Sequence, residues 1–244
     1  MLFEALVVFS AVAGGIVASV TGFGIGSLLT PALAWQMDTR IAVAAVSIPH
    51  FIGTAFRFWL LGGGIDRRVL WSFGVMSAVG GLSGALLQEW ASTPALMVLF
   101  GALLLFTSGA EVTGLARRLQ FQGPFAWMAG AASGMLGGLV GNQGGIRSAA
   151  LLGVDLPKHA FVATATAVGL MVDIARVPVY LWYMGPELNQ LSVLIAIAAV
   201  AVVAGTIVGN RLLAGIPERA FRRIVAIVLA LLGAAMALQG LRRG

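Results

Sequence analysis

The chain has no cysteine and only two histidines among 244 residues. Without a thiol there is no disulfide, no thiolate metal site, no iron–sulfur cluster and no cysteine nucleophile. His50 and His159 are too few and too isolated to build a metal centre, so no metal is expected. Charge is scarce as well: 10% of residues are Asp, Glu, Lys or Arg, where a soluble globular domain carries ~25%. No H-E-x-x-H, G-x-S-x-G or P-loop pattern occurs. Neither an enzymatic activity nor a cofactor is therefore expected.

What the chain has instead is apolar length. Hydrophobic residues make up 59% of it, 33 residues are glycine, and the mean hydropathy is +0.98. The apolar residues come in long runs separated by short polar breaks, which is the pattern of an all-α polytopic membrane protein embedded in a lipid bilayer. No polar stretch is long enough to fold as a soluble domain, so residues 1–244 read as a single transmembrane domain. A net charge of +6 would suggest nucleic acid in a soluble protein. Here the arginines cluster in short loops between apolar segments, where they orient the chain in an inner membrane, and no nucleic acid partner is expected. The opening Met1-Leu2-Phe3-Glu4 lacks the basic start of a secretory signal and is expected to stay in the mature chain.

Eight apolar segments follow, roughly 2–36, 39–61, 68–88, 94–111, 124–156, 158–183, 190–210 and 219–240. Six have the length of one crossing. The first and fifth, as continuous helices, would rise about 50 Å against a hydrocarbon core of about 30 Å, so each must be broken. The breaks are Thr21-Gly22-Phe23-Gly24-Ile25-Gly26-Ser27 and Gly137-Gly138-Leu139-Val140-Gly141-Asn142-Gln143-Gly144-Gly145, since each glycine lowers helix propensity by about 1 kcal/mol against alanine.

Charge decides what the breaks do to topology. If segments one and five each cross once, the loop cations divide six against six and carry no orientation signal. If both go in and come back, one side collects Arg67, Arg68, Arg117, Arg118, Lys158, Arg211, Arg219, Arg222 and Arg223, while the other keeps Arg40, Arg242 and Arg243. The second arrangement has the positive-inside asymmetry and places the nine cations in the cytoplasm. Each half then holds a broken or re-entrant helical hairpin plus three transmembrane helices. That is an odd number of crossings, so 1–116 and 123–244 would be inverted repeats joined by a short basic cytoplasmic loop. Faint echoes agree: Gly24-Ile25-x-Ser27 recurs as Gly145-Ile146-x-Ser148, and Gly80-x-x-x-Gly84 as Gly205-x-x-x-Gly209.

A substrate site is expected where the two breaks meet. Arg147, two positions beyond the second break, would cost roughly 2.5–3.5 kcal/mol at the bilayer centre unless it faced a cavity or partner, and a bound anion would offset that. Asn142 and Gln143 add side-chain donors, and the N–H groups of Gly144, Gly145 and Ile146 lie at what reads as a helix N-terminus, with Ser148 beyond. The first half contributes Thr21, Gly22, Phe23, Gly24 and Ser27. The plainer alternative is that the glycines only pack helices and that Arg147 snorkels or pairs with Asp173.

Four further residues are candidates for coupling or gating. Arg57 and Arg176 lie near the ends of their helices, where snorkelling to headgroups is cheap; pseudosymmetry would set them at opposite faces as gate charges. Asp173 sits three residues before Arg176 and is placed to pair with it. His50 follows Pro49 and either titrates in a coupling cycle or stays neutral on a carbonyl freed by the proline.

The paired pattern, Gly14-Gly15 leading to Thr21-Gly22-Phe23-Gly24-Ile25-Gly26-Ser27 and then Gly137 to Gly145 after a central basic loop, resembles the sulfite exporter TauE/SafE family of membrane permeases over nearly the whole chain. The resemblance implies a gradient-coupled transporter of sulfite, sulfoacetate or other sulfonates. The run Asn142 to Arg147 departs from the family's glycine, aliphatic and proline pattern and points to a subgroup's substrate preference. The expectation is thus a multi-pass inner-membrane permease moving a small anion by alternating access, with a proton or cation as coupling partner and a homodimer as an open question. A passive anion channel and a non-transporting assembly or receptor subunit are the alternatives.

Overall fold

The computed structural model describes the chain apart from residues 1, 62, 116–123, 143, 145, 146, 148–150, 152–155, 213–217 and 244. Among the described residues all regular structure is helical: α1 (Leu2–Thr21), α2 (Ile25–Ala34), α3 (Thr39–Leu61), α4 (Arg67–Trp90), α5 (Thr93–Thr113), α6 (Pro124–Val140), α7 (Lys158–Gln190), α8 (Ser192–Leu212) and α9 (Glu218–Arg243). Seven are long and apolar enough to cross a membrane, while α2 and α6, with 10 and 17 residues, are shorter. The chain is a multi-pass membrane protein.

The first long apolar segment breaks where its glycines stand. Gly22 has φ +79° and Gly24 φ +138°, backbone conformations that a Cβ resists. The Thr21 hydroxyl lies 2.7 Å from the Phe23 carbonyl oxygen and accepts the Phe23 N–H at 3.3 Å, closing the end of α1. Beyond the break α2 doubles back: a Cβ on Gly14 would lie only 3.0 Å from the Ile25 Cα. At 1.5 Å per residue α1 rises about 30 Å and α2 about 15 Å, so the hairpin is one full-length helix and one half-length helix, not two short ones. In the second half α6 ends at Val140 and Gly141 takes φ +73°; helix is present again at Gly144, Arg147 and Leu151.

Two helices differ from the segments read in the sequence. The sixth segment was expected to end near 183, and the helical geometry does break there, Met184 being non-helical (φ −126°, ψ 21°); a further helical stretch, counted with α7, continues to Gln190 past Pro186, whose ring disturbs the preceding turn. In α4 a π turn occupies Leu70–Gly74.

Helix packing runs across the two halves. α1 packs on α8 as α6 packs on α4; α3 meets α7 and α5 meets α9; α4 also meets α7 as α8 meets α3. Exchanging the halves carries α1–α8 onto α6–α4 and α4–α7 onto α8–α3, and α3–α7 and α5–α9 onto themselves. The closest approaches use the glycine ladders. Gly80 and Gly84 face the α6 backbone at Ala131 and Met135, while Gly205 and Gly209 face the α1 backbone at Val12 and Ile16. In lipid, apolar surface gains little by leaving its surroundings, so helices associate through such backbone proximity.

Contacts sort the helix ends into two groups. Arg40 donates to the Glu89 carbonyl oxygen at 3.3 Å, the Thr93 hydroxyl to Asp38, and Gly240 lies against Pro94. These contacts put the starts of α3 and α5 with the end of α9. At the other end Gly64 lies against His159 and the Asp66 N–H donates to Thr164 Oγ1 at 2.9 Å, so Arg67 and Arg68 stand where α7 begins. Arg117 and Arg118 lie outside the described residues. Trp35, Trp59, Trp71, Trp90, Trp127 and Trp182 are all exposed near helix ends, as an aromatic belt requires.

Candidate functional site

Two polar stripes face each other inside the bundle. On α3, Ser47, His50, Thr54 and Arg57 recur every three or four residues and are buried; on α7, Thr166, Asp173, Arg176 and Tyr180 do the same, with Gly169 between them. That spacing puts each set on one helix face, and α3 packs on α7.

Asp173 is the hub, with no exposed surface. Its Oδ1 accepts Arg176 Nε at 3.0 Å and lies 2.8 Å from Arg176 Nη2, while Oδ2 lies 2.6 Å from His50 Nδ1. An ionised carboxylate only accepts, so Nδ1 carries the proton and His50 is a donor here. Arg176 also donates through Nη1 to the Gly137 carbonyl oxygen at 2.6 Å, and the Tyr180 hydroxyl donates to the Gly138 carbonyl oxygen. Both carbonyls belong to the last turn of α6, so the network holds the approach to the second break.

Three expectations are corrected at this point. Arg176 does not snorkel: it is 1% exposed and fully engaged, because Asp173 and the α6 carbonyls satisfy it locally. Arg57 does not snorkel either; it is 2% exposed and its Nε donates to Thr166 Oγ1 at 3.0 Å. Rather than standing at opposite faces, both are buried around Asp173, Arg57 between α3 and α7 on Thr166 and Arg176 between α7 and the end of α6. His50 turns to the carboxylate and not to a backbone carbonyl released by Pro49, since an ionised carboxylate is the stronger acceptor.

The breaks meet beside this network. Arg147, 1% exposed, donates through Nη2 to the Gly22 carbonyl oxygen at 3.0 Å, reaching from the second break into the first. Ser27 Oγ donates to Asn142 Oδ1 at 3.2 Å, a second bond between them. Gly144 lies against the Phe23 ring, and Gly26 against the Gly141 carbonyl. Thr21, Gly22, Phe23, Gly24, Ser27, Asn142, Gly144 and Arg147 therefore belong to one buried region. Gln143, Gly145 and Ser148 lie outside the described residues.

Donors outnumber acceptors in this region. Arg147 Nε and Nη1, Arg57 Nη1 and Asn142 Nδ2 are buried with no hydrogen-bond partner among the described residues. Leaving such groups unpaired is costly, most of all on a guanidinium. The buried charges among the described residues are Arg57, Arg147 and Arg176 against Asp173, an excess of two positive charges. Donors without acceptors and cations without counter-charge describe a place for an anion. Among the described residues no group of three His, Cys, Asp or Glu is arranged to hold a metal.

Thr166, Gly169, Tyr180 and Thr54 were not among the expected residues. Their signal in the sequence is the helical spacing from Asp173, Arg176, His50 and Arg57. An apolar groove of about 550 Å³ between α1, α2 and α9, lined by Phe9, Leu28, Trp35, Val228 and Met236, lies apart from the polar cluster.

In comparison with known proteins, residues 6–236 match the family described as sulfite exporter TauE/SafE. No curated protein and no solved structure matches the chain.

Proposed function

From the chain's membership of the sulfite exporter TauE/SafE family, we propose that it is a secondary permease carrying a small sulfur oxyanion or organosulfonate across the inner membrane. The observation that carries this reading is Arg147. It is a buried guanidinium joined to the opposite break through one nitrogen, with its two other nitrogens unpartnered among the described residues. A site of this kind binds an oxyanion by supplying charge-assisted N–H donors in a place already stripped of water.

We read residues 1–116 and 123–244 as inverted repeats that rock around the Gly22–Ser27 and Asn142–Arg147 breaks. The exchange symmetry of the helix pairings and the matched glycine ladders support this. The end bearing Arg67, Arg68 and the start of α7 is the cytoplasmic one on this reading. His50, held by Asp173 through Nδ1, is the group assigned to proton coupling, with Nε2 as the position that takes or releases the proton.

The test is uptake into proteoliposomes of sulfite, a small sulfonate and a carboxylate, with and without an imposed pH gradient. Wild type should show saturable uptake and counter-flow, and Arg147→Ala should lose the uptake of the preferred anion. Unchanged uptake of every anion by Arg147→Ala would refute the assignment, and flux with neither saturation nor counter-flow would make the protein a channel.

A further inference from the structure

We infer that Arg57 is a second anion ligand and that the bound species is a divalent oxyanion shared between Arg57 and Arg147. This rests on the reading of the Arg147 region as the transport site. Both guanidinium groups approach the same face of α7. Arg57 Nε is fixed on Thr166 Oγ1 at 3.0 Å. Arg147 Nη1 fills the space beside Gly169, where a Cβ would come within 2.8 Å of it and 3.6 Å of the Thr54 methyl. Thr166 and Gly169 are three residues apart on one helix face, a separation of about 5–6 Å, and Thr54 is likewise three residues before Arg57. The two guanidinium groups therefore stand about one helical turn apart, and Arg57 lies within reach of the Arg147 charge.

Two buried like charges at that separation repel strongly where the effective dielectric constant is low. Asp173 attracts both, but its single negative charge is also held at hydrogen-bond distance by Arg176 and His50 and cannot balance three guanidinium groups. What remains is two positive charges, with Nη1 of Arg57 and Nε and Nη1 of Arg147 unpartnered among the described residues. A monoanion leaves one charge uncompensated in the interior. A dianion cancels both, and its several oxygen atoms meet donors from two directions. Gly169 has a specificity role on this account, since any side chain there would displace the Arg147 head.

The experiment is binding to purified full-length protein at one pH and ionic strength, comparing sulfate with methanesulfonate, which is similar in shape and carries one charge. Wild type should bind sulfate about tenfold or more tighter than methanesulfonate. Arg57→Gln should weaken sulfate by about that factor while leaving methanesulfonate within about threefold, and Arg57→Lys should keep most of the preference. Equal binding of the two anions by wild type, or tighter methanesulfonate, would overturn the inference independently of any variant. Equal weakening of both anions by Arg57→Gln would also overturn it, making Arg57 a packing residue. If Arg147→Gln leaves both affinities unchanged, the transport-site reading falls with it; if only the charge preference is missing, that reading stands and the dianion inference alone is lost.

Discussion

Breaking the Asp173–Arg176 pair should be among the most damaging changes available in this chain, and breaking both partners together should be far milder than the two losses added. Asp173 takes two contacts from Arg176, at 3.0 and 2.8 Å, and one from His50 at 2.6 Å, with Arg176 1% exposed. Asp173→Asn removes the negative charge and leaves a buried guanidinium beside two others; loss of one partner of such a pair costs about 3–5 kcal/mol. At about 2–4 °C per kcal/mol for a chain of this size, the melting temperature should fall by on the order of 10 °C. Arg176→Gln should cost less, because His50 still serves the Asp173 carboxylate. The double variant Asp173→Asn/Arg176→Gln removes both charges and should recover most of the loss, giving a coupling of about 3 kcal/mol. The assay is thermal unfolding in detergent followed by tryptophan fluorescence, at fixed pH and without added oxyanion, on the two single variants, the double variant and wild type. If the double variant loses the sum of the singles within about 0.5 kcal/mol, the two side chains are not the coupled buried pair described here.

Two further outcomes follow from the packing and the outer end of the bundle. A Cβ on Gly134 would lie 2.6 Å from the Ser77 carbonyl carbon and 2.8 Å from its Cα, so Gly134→Ala should cost about 1–3 kcal/mol as overpacking, whereas Gly109→Ala, inside α5 with nothing within 4 Å, should not lower the melting temperature and should raise it slightly through helix propensity. Burial alone would raise the Asp38 carboxyl, but the Thr93 hydroxyl, the Arg40 N–H and the Arg40 charge outweigh it and hold the group below its ordinary value of 3.8. A carboxylate depressed in the folded state stabilises above its unfolded value, and that contribution disappears as pH falls through the folded one. Wild type should therefore lose stability below about pH 4 more steeply than Asp38→Asn in a melting series from pH 6 to 3.

Much of the architecture was legible because lipid imposes simple rules. An apolar run of about 20 residues has to be a helix there, so 39–61 was delimited to the residue and α4, α5, α8 and α9 to within a few. A run too long for one crossing has to break, and glycines able to take positive φ said where. The break near 183 was placed within a residue of the non-helical Met184, but the helical stretch that follows it to Gln190 was not read, since it is too short and polar to register as an apolar run. The relative lengths of α1 and α2 were equally hidden, because hydropathy does not record where a chain turns inside the bilayer.

The site was legible in part. Arg147, Asn142 and the first break were identifiable because a cation or amide inside an apolar run demands an explanation. The Asp173–Arg176 pair was legible from its i, i+3 spacing and is present, but the partners of Arg57 and His50 were not, since each lies more than 100 residues away: Thr166 for Arg57, Asp173 for His50. The stripes Ser47, His50, Thr54, Arg57 and Thr166, Gly169, Asp173, Arg176, Tyr180 were written in the sequence, but a stripe says only that a face is polar, not which other face it meets.

The sequence by itself determined that the chain is a helical membrane protein and where its long segments break. These follow from local properties, hydropathy and backbone freedom, that each residue carries wherever it is placed. Tertiary structure alone decided that the two breaks touch, that Asp173 is taken up by Arg176 and His50, and that Arg57 and Arg147 are left facing each other's charge. Those are differences between pairings, and the energy of a buried charge depends on which partner is within hydrogen-bond reach, a quantity that no single residue holds.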